Sequence, residues 1–530
     1  MMNKLLQMLT AIASLVGAFL LLLPVSGNGQ IEPSGFQVVE TSISQIHGAY
    51  ADGSLTAREL VQRYLDRIEA YDQNGPRINA FITLNGEALE DADRLDAAFR
   101  ASGLVGPLHG IPVVLKDQVD VAGMPTTLGS ILFENYYPDR HAFVTERLLE
   151  AGAIILGKVT LGELAGGDTH GSLFGSTRNP YALDRTVGGS SGGSAASVAA
   201  NFATIAVAQE GLASIRRPAA WNSIVGIRPT AGLVSRGGVF AGWPQLAGTL
   251  GPMARTVEDL AVLLDVMVGY DPEDPITAHG REHIPETYRS YLDAAGLEGA
   301  RLGVLRESIG IASEPDSEDF AKVDEVFEQT LAELRAAGAV VVDPIEIPDL
   351  KERMSFPVLA PGEAEESFQE YFGRSAESPF ASLDEMVAAP GFREASDFAQ
   401  RRFPVVESRD RHYEYLVARD EIMTQLLKVM SDHELDAIVY KAVEHQPTLI
   451  EDGVNPPFVN TKGVPYLNTF LVYVPAIVVP AGFTVDDLPV GITFMGRPYE
   501  DGEMLRLAYA YEQATRHRRP ADTVPELSED

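Results

Sequence analysis

The sequence predicts a single large α/β domain, one sheet with helices on both faces. Three observations lead there. Short apolar runs rich in β-branched residues recur from about residue 111 to residue 480, and amphipathic helical stretches alternate with them. No proline- or glycine-rich linker is long enough to divide the chain, and no repeat of fixed period is visible. At 530 residues, 45% hydrophobic and 22% charged, the chain has the balance of a globular protein with a large core.

The first element stands apart from that domain. Lys4 precedes an apolar stretch over residues 5–25, and small residues follow at Ser26 and Gly27. This is the layout of a secretory signal peptide cleaved after Gly27, or of a retained N-terminal membrane anchor of about 20 residues. Residues 28–530 are left as the α/β domain, placed in the periplasm or outside the cell. Within it, Leu60, Val61, Tyr64, Leu65 and Ile68 share one face of a helix expected over 41–70. A helix at 86–101 precedes an apolar strand at 111–115 that ends at Lys116. Next come a helix at 142–151 and a strand at 153–156. Further strands are expected at 203–207, 301–305, 339–343, 436–440 and 477–480, with helices at 317–337 and 412–432 between them. Residues 350–410 are rich in Pro, Phe and Ser with weak periodicity, which reads as an insertion or lid.

Charge and cysteine content exclude whole classes of chemistry. Asp and Glu number 75 against 41 Lys and Arg, a formal charge of −34. Such a surface repels phosphate backbones, so nucleic acid is not an expected partner. The chain has no cysteine. That removes disulfides, thiolate nucleophiles, iron–sulfur clusters and cysteine-ligated zinc. No cofactor and no metal are expected.

One stretch concentrates glycine and serine: GGSSGGSAAS at 188–197. A flexible linker would have polar, weakly structured flanks, whereas this stretch runs into a helix and an apolar strand. A phosphate loop would need a lysine after its last glycine, and none follows. A nucleophile site remains, in two versions. Gly188 to Gly192 fits the G-x-S-x-G elbow of α/β-hydrolases, which also requires a late histidine; His433 and His445 are available. The other version uses a base other than histidine. Lys116 closes the apolar run IPVVL, where burial would disfavour the ammonium form and make the amine a general base.

Three segments taken together, GIPVVLKDQVDVAGMPTT (110–127), GGSSGGSAASVAA (188–200) and SIRRPAAWNSIVGIRPTAGLVSRGG (214–238), resemble the amidase signature family. Later segments at 249–275 and 474–498 extend the resemblance to about residues 40–517. The family resemblance implies a central mixed, twisted sheet and a Ser–cis-Ser–Lys triad. By motif position it makes Lys116 the base, Ser190 the relay serine on a cis peptide bond, and Ser214 the nucleophile. Gly188, Gly189, Ser191, Gly192 and Gly193 would support the relay loop, with Ser194 as N-cap of the following helix. Backbone N–H groups of Gly211, Leu212, Ala213 and Ser214 would form the oxyanion hole.

The chain departs from the family's usual Thr-Asp-x-Gly-Gly-Ser-like run. Here Gln209-Glu210-Gly211-Leu212-Ala213-Ser214 stands in its place, so side chains occupy two positions where glycine is usual. They would narrow the loop and disfavour any positive φ there. Arg217 adds a second cation after Arg216. The expectation is a secreted or periplasmic serine amidohydrolase, monomeric or homodimeric, cleaving small amides, carbamates or esters through an acyl-enzyme. Membrane association would run through residues 5–25. Two alternatives stand beside it. One is a non-catalytic or partner-dependent component, like the family's glutaminase subunit of the tRNA amidotransferase. The other is a histidine-dependent α/β-hydrolase.

Overall fold

A computed structural model of the chain describes residues 36–240, 248–355, 357–403 and 405–527. Val38–Asp530 form one compact unit. The expected signal or anchor at residues 1–27 lies outside the described residues.

The helix expected over 41–70 is two helices, and local chemistry explains the break. Helix α1 (Ile43–Asp52) opens on a capping box of Ser42 and Gln45 and ends at Gly53, whose φ of 77° only glycine adopts cheaply. Helix α2 (Ala57–Arg67) restarts on a second capping box, Thr56 with Glu59. Strand β1 (Phe81–Leu84), helix α3 (Ala88–Ser102), strand β2 (Pro112–Lys116), helix α4 (Phe143–Glu150) and strand β3 (Ile154–Val159) follow. Helix α5 (Gly192–Ala199), strand β4 (Ile205–Glu210), helix α6 (Arg216–Trp221), strands β5 (Val225–Arg228) and β6 (Thr249–Ala254), and helix α7 (Val257–Met267) complete the first half. The second half holds strands β7 (Arg301–Leu305), β8 (Val340–Ile345), β9 (Ala437–Lys441), β10 (Ala476–Phe483) and β11 (Pro489–Met495). Its main helices are α8 (Glu318–Ala336), α9 (Glu363–Phe372), α10 (Leu383–Ala388), α11 (Asp397–Arg402), α12 (Arg409–Asp432) and α13 (Asp501–Thr515).

Among the described residues, these eleven strands make one mixed sheet in the order β1-β3-β2-β4-β6-β5-β10-β11-β9-β7-β8, flanked by the helices. The pairs β3–β2, β2–β4, β9–β7 and β7–β8 are parallel and the rest antiparallel. Every residue of β2, β3 and β4 is buried, as expected of strands covered on both faces. Strand β8, at the sheet edge, is largely open.

Segment 350–410 folds as short helices. Phe368, Tyr371 and Phe372 on α9 pack with Phe133, Phe392 and Phe403 in an aromatic cluster. The Tyr371 hydroxyl donates to Asp120 Oδ1 at 2.7 Å, and Arg402 Nη1 donates to the Leu164 carbonyl at 2.8 Å. Helices of six to ten residues show too few turns for a clear period, hence the weak sequence signal.

Candidate active site

Two neighbouring parallel strands deliver the chemistry. Val113, Val114 and Leu115 of β2 lie beside Ile205, Ala206 and Val207 of β4, so both carboxyl ends open on the same rim. That rim is where open α/β sheets place their ligands. Lys116 is the last residue of β2, and the loop after β4 carries Ser214 into α6. Ser190 comes from the third segment, just ahead of α5.

The three side chains meet. Lys116 Nζ donates to Ser190 Oγ at 2.7 Å, and Ser190 Oγ donates to Ser214 Oγ at 3.1 Å. Lys116 and Ser190 are fully buried, while Ser214 is partly open. Lys116 also reaches the Gln209 carbonyl at 3.3 Å. Burial pushes the Lys116 amine well below the usual lysine range; Glu210 pulls upward, and Arg402 and Arg217 push it further down. A neutral amine reverses the donor direction of the same chain, because each oxygen can give or take a proton.

The peptide bond between Gly189 and Ser190 is cis. Gly188 has φ 78°, and a Cβ there would sit 3.0 Å from Trp221 Cε3. A Cβ on Gly189 would lie 2.4 Å from the Gly167 carbonyl oxygen, so both glycines are dictated by close approach. Ser191 ties the relay loop to the nucleophile loop: its N–H donates to Ser214 O at 3.2 Å and its hydroxyl to Gln209 O at 3.0 Å. Gly192 and Gly193 open α5, with Ser191 as the N-cap residue. Ser194, expected as the cap, lies inside the helix and donates to Val207 O at 3.2 Å.

The loop 211–214 contains no residue with positive φ. Leu212 and Ala213 therefore sit there without left-handed backbone strain, in keeping with side chains that disfavour a positive φ. No described group accepts from the N–H of Gly211, Leu212, Ala213 or Ser214. Glu210 anchors the loop from below. Its Oε2 accepts the N–H of Ile215 at 2.9 Å and of Arg216 at 3.1 Å, and its Oε1 takes Arg216 Nε at 2.9 Å. Arg216 continues to the Tyr440 hydroxyl and the Leu212 carbonyl. This anchoring was not legible in sequence, where Glu210 stood only as one position of the departing run 209–214.

The histidines of the alternative mechanism are engaged elsewhere. His445 Nδ1 pairs with Asp319 Oδ2 at 2.8 Å, and its Nε2 faces the Glu314 N–H at 3.0 Å. His433 closes α12, with its carbonyl accepting from Arg301. Neither shares a hydrogen bond with Ser214.

Comparison with known proteins shows the family and the fold. A family model described as amidase matches residues 59–505. A glutamyl-tRNA(Gln) amidotransferase subunit from Methanosarcina mazei is 33% identical, covering 91% of this chain and 99% of its own length. The same subunit from Gloeobacter violaceus is 34% identical, covering 90% and 98%. Among solved structures, the peptide amidase of Stenotrophomonas maltophilia superposes with a TM-score of 0.79 at 33% identity, covering 91% and 99%. The glutamyl-tRNA(Gln) amidotransferase subunit from Thermotoga maritima gives 0.67 at 28% identity, covering 92% and 97%. The two solved structures share the large helix-flanked mixed sheet with this chain.

The relatives also correct two expectations. An exported, free-standing amidohydrolase was expected, yet curated relatives such as those from Methanosarcina mazei and Gloeobacter violaceus, matching about nine-tenths of the chain, are amidotransferase subunits. They support neither a secreted or periplasmic location nor an independent hydrolase, and they fit the partner-dependent alternative better. Among the described residues no helix is long and apolar enough to cross a membrane. The apolar run that suggested export lies outside them.

Proposed function

We propose, from the premise that this chain belongs to the amidase signature family, that it is the amide-cleaving component of a partner-dependent, glutaminase-type assembly. The chain is a C–N hydrolase by family. The unbroken path Lys116–Ser190–Ser214 carries the proposal.

Neutral Lys116 takes the Ser190 proton while Ser190 takes that of Ser214, and Ser214 Oγ attacks the carbonyl carbon of a primary carboxamide. The oxyanion is received by the N–H groups of the 211–214 loop. The proton returns through Ser190 to the leaving nitrogen, the C–N bond breaks, and ammonia departs. Water then attacks the acyl-Ser214 ester by the same route, giving the carboxylate and free serine. The relatives' name, an amidotransferase subunit, supports an ammonia acceptor that is a partner's substrate. A chain of charge −34 leaves any nucleic-acid contact to that partner.

Ammonia release is the test, measured with glutamine and with a C-terminally amidated dipeptide, using the full chain with and without proteins that co-purify from its own cell. A stoichiometric partner that raises glutamine turnover, with the gain lost in Ser214→Ala, is the expected result. A chain that purifies alone and hydrolyses the amidated dipeptide at a rate no partner changes would overturn the assembly.

A further inference from the structure

Resting on that reading, we infer that Arg217, held by Asp168, is a positioning residue that sets the relay serine against the nucleophile. Arg217 lies three residues after Ser214, and its own N–H donates to the Ala213 carbonyl at 2.9 Å, so its backbone is part of the nucleophile turn. Its side chain crosses to the other serine-bearing segment. Nε and Nη2 both donate to the Gly189 carbonyl, at 2.9 and 2.6 Å, and Nη2 also donates to the Gly167 carbonyl at 2.8 Å. Nη1 lies 2.7 Å from Asp168 Oδ1, an ion pair whose angle is not that of an aligned hydrogen bond.

The Gly189 carbonyl belongs to the peptide unit that carries the Ser190 nitrogen. A peptide unit is planar and includes the Cα that follows it, so gripping that oxygen orients the plane in which Ser190 Cα lies. The bare Cα of Gly189 lets the 167–168 backbone come close enough for one guanidinium to hold both carbonyls. Arg217 is 2% exposed and its Cζ lies 6.0 Å from the Trp221 ring centroid, so packing confines the fork. A lysine could supply the charge here but not the planar, two-carbonyl grip.

Arg217 also acts on the base through space. Lys116 faces Glu210 from β4, Arg402 from α11 and Arg217 from α6, while its neighbour Asp117 is paired with Lys158 on β3 at 3.0 Å. Removing the Arg217 charge eases protonation of Lys116.

A fluorophosphonate probe that phosphonylates the nucleophilic serine and releases fluoride reads both effects without a known substrate. Its labelling rate would be followed against pH for the full-length wild type, Arg217→Lys, Arg217→Gln and Asp168→Asn. Misplacing a reacting group by about 1 Å costs ~10²-fold in rate. A loss of that order is expected in both Arg217 variants, with a smaller loss in Asp168→Asn. The acid limb of the profile moves to higher pH in Arg217→Gln and stays in place in Arg217→Lys. Should Arg217→Gln fail to fold, Arg217→Lys carries the test: labelling at the wild-type rate would overturn the grip. Wild-type labelling at Ser214 with unchanged Arg217 variants removes this inference alone. Absence of wild-type labelling removes the reading beneath it and the inference together.

Discussion

Replacing Glu210 with glutamine tests how the nucleophile loop is held, because the same carboxylate has a structural and an electrostatic task. It is fully buried, accepts two backbone N–H bonds from Ile215 and Arg216, and takes Arg216 Nε at 2.9 Å, with Arg228 Nε at 3.7 Å. Glutamine keeps one acceptor oxygen and turns an amide N–H₂ toward groups that are all donors. Two buried guanidiniums lose their shared anion, and breaking a buried pair from one side costs about 3–5 kcal/mol. The thermal midpoint should drop by several degrees. Labelling of Ser214 should slow by ~10²-fold as the 211–215 turn loosens by about 1 Å. The pH profile moves in a direction that mere loosening does not explain. With Lys116 as the neutral base proposed above, activity is present above its pKa and lost as pH falls through it. Glu210 is the charge that raises that pKa against burial, so its removal carries the acid limb to lower pH. Melting curves and labelling rates from pH 5 to about 9, where an unperturbed lysine of pKa ~10.4 would still be charged, give all three readings. A variant with the wild-type midpoint and rate, or with its acid limb at higher pH, would refute this account of Glu210.

Lys116→Met should slow labelling by at least ~10²-fold yet melt higher than wild type at pH 7. The buried amine gives up a proton that the unfolded chain keeps, so the variant's advantage shrinks as pH approaches the ordinary lysine value of 10.5; an advantage that does not change with pH would contradict this. Gly189→Ala places a Cβ 2.4 Å from the Gly167 carbonyl oxygen, so it should slow labelling about as much as Arg217→Lys, ~10²-fold. A rate within about twofold of wild type, ~0.4 kcal/mol in the barrier, would show that the loop yields at no catalytic loss. Burial raises the Asp72 carboxyl from 3.8 to about 7. The folded chain therefore binds a proton there that the unfolded chain releases, and this carboxyl's contribution to stability declines as pH rises across that interval, then levels off. Asp72→Asn should gain stability relative to wild type over the same window, as read from urea midpoints; a constant difference would place the titration elsewhere.

Much of the site was legible because its residues lie in continuous motifs. Lys116 stood out at the end of an apolar run, and Ser190 and Ser214 followed from the family resemblance, whose segments also implied the mixed sheet. Strands β7 and β9 matched their β-branched runs almost residue for residue. Strands β5 and β6 escaped notice because they are short or interrupted by Gly251 and Pro252, which break the apolar pattern a buried strand normally shows. The helix expected over 41–70 was too long because the capping chemistry around Gly53 and Thr56 outweighs a periodicity that continues across it. Asp168 and Arg217 were invisible as a pair: 49 positions separate them, and only the packing of three loops brings them together. The partner-dependent alternative stood second because the apolar run near the N-terminus argued for export more strongly than any local motif argued for assembly.

The central claim is that Lys116, acting through Ser190, activates Ser214. Its most direct measurement is the pH dependence of fluorophosphonate labelling, with the modified residue identified by mass spectrometry, for wild type, Ser214→Ala and Lys116→Met. The account predicts adduct on Ser214 alone, none in Ser214→Ala, a rate reduced by at least ~10²-fold in Lys116→Met, and a wild-type acid limb well below the ordinary range of lysine. Adduct on another residue, or Lys116→Met labelled at the wild-type rate with the same profile, would contradict it.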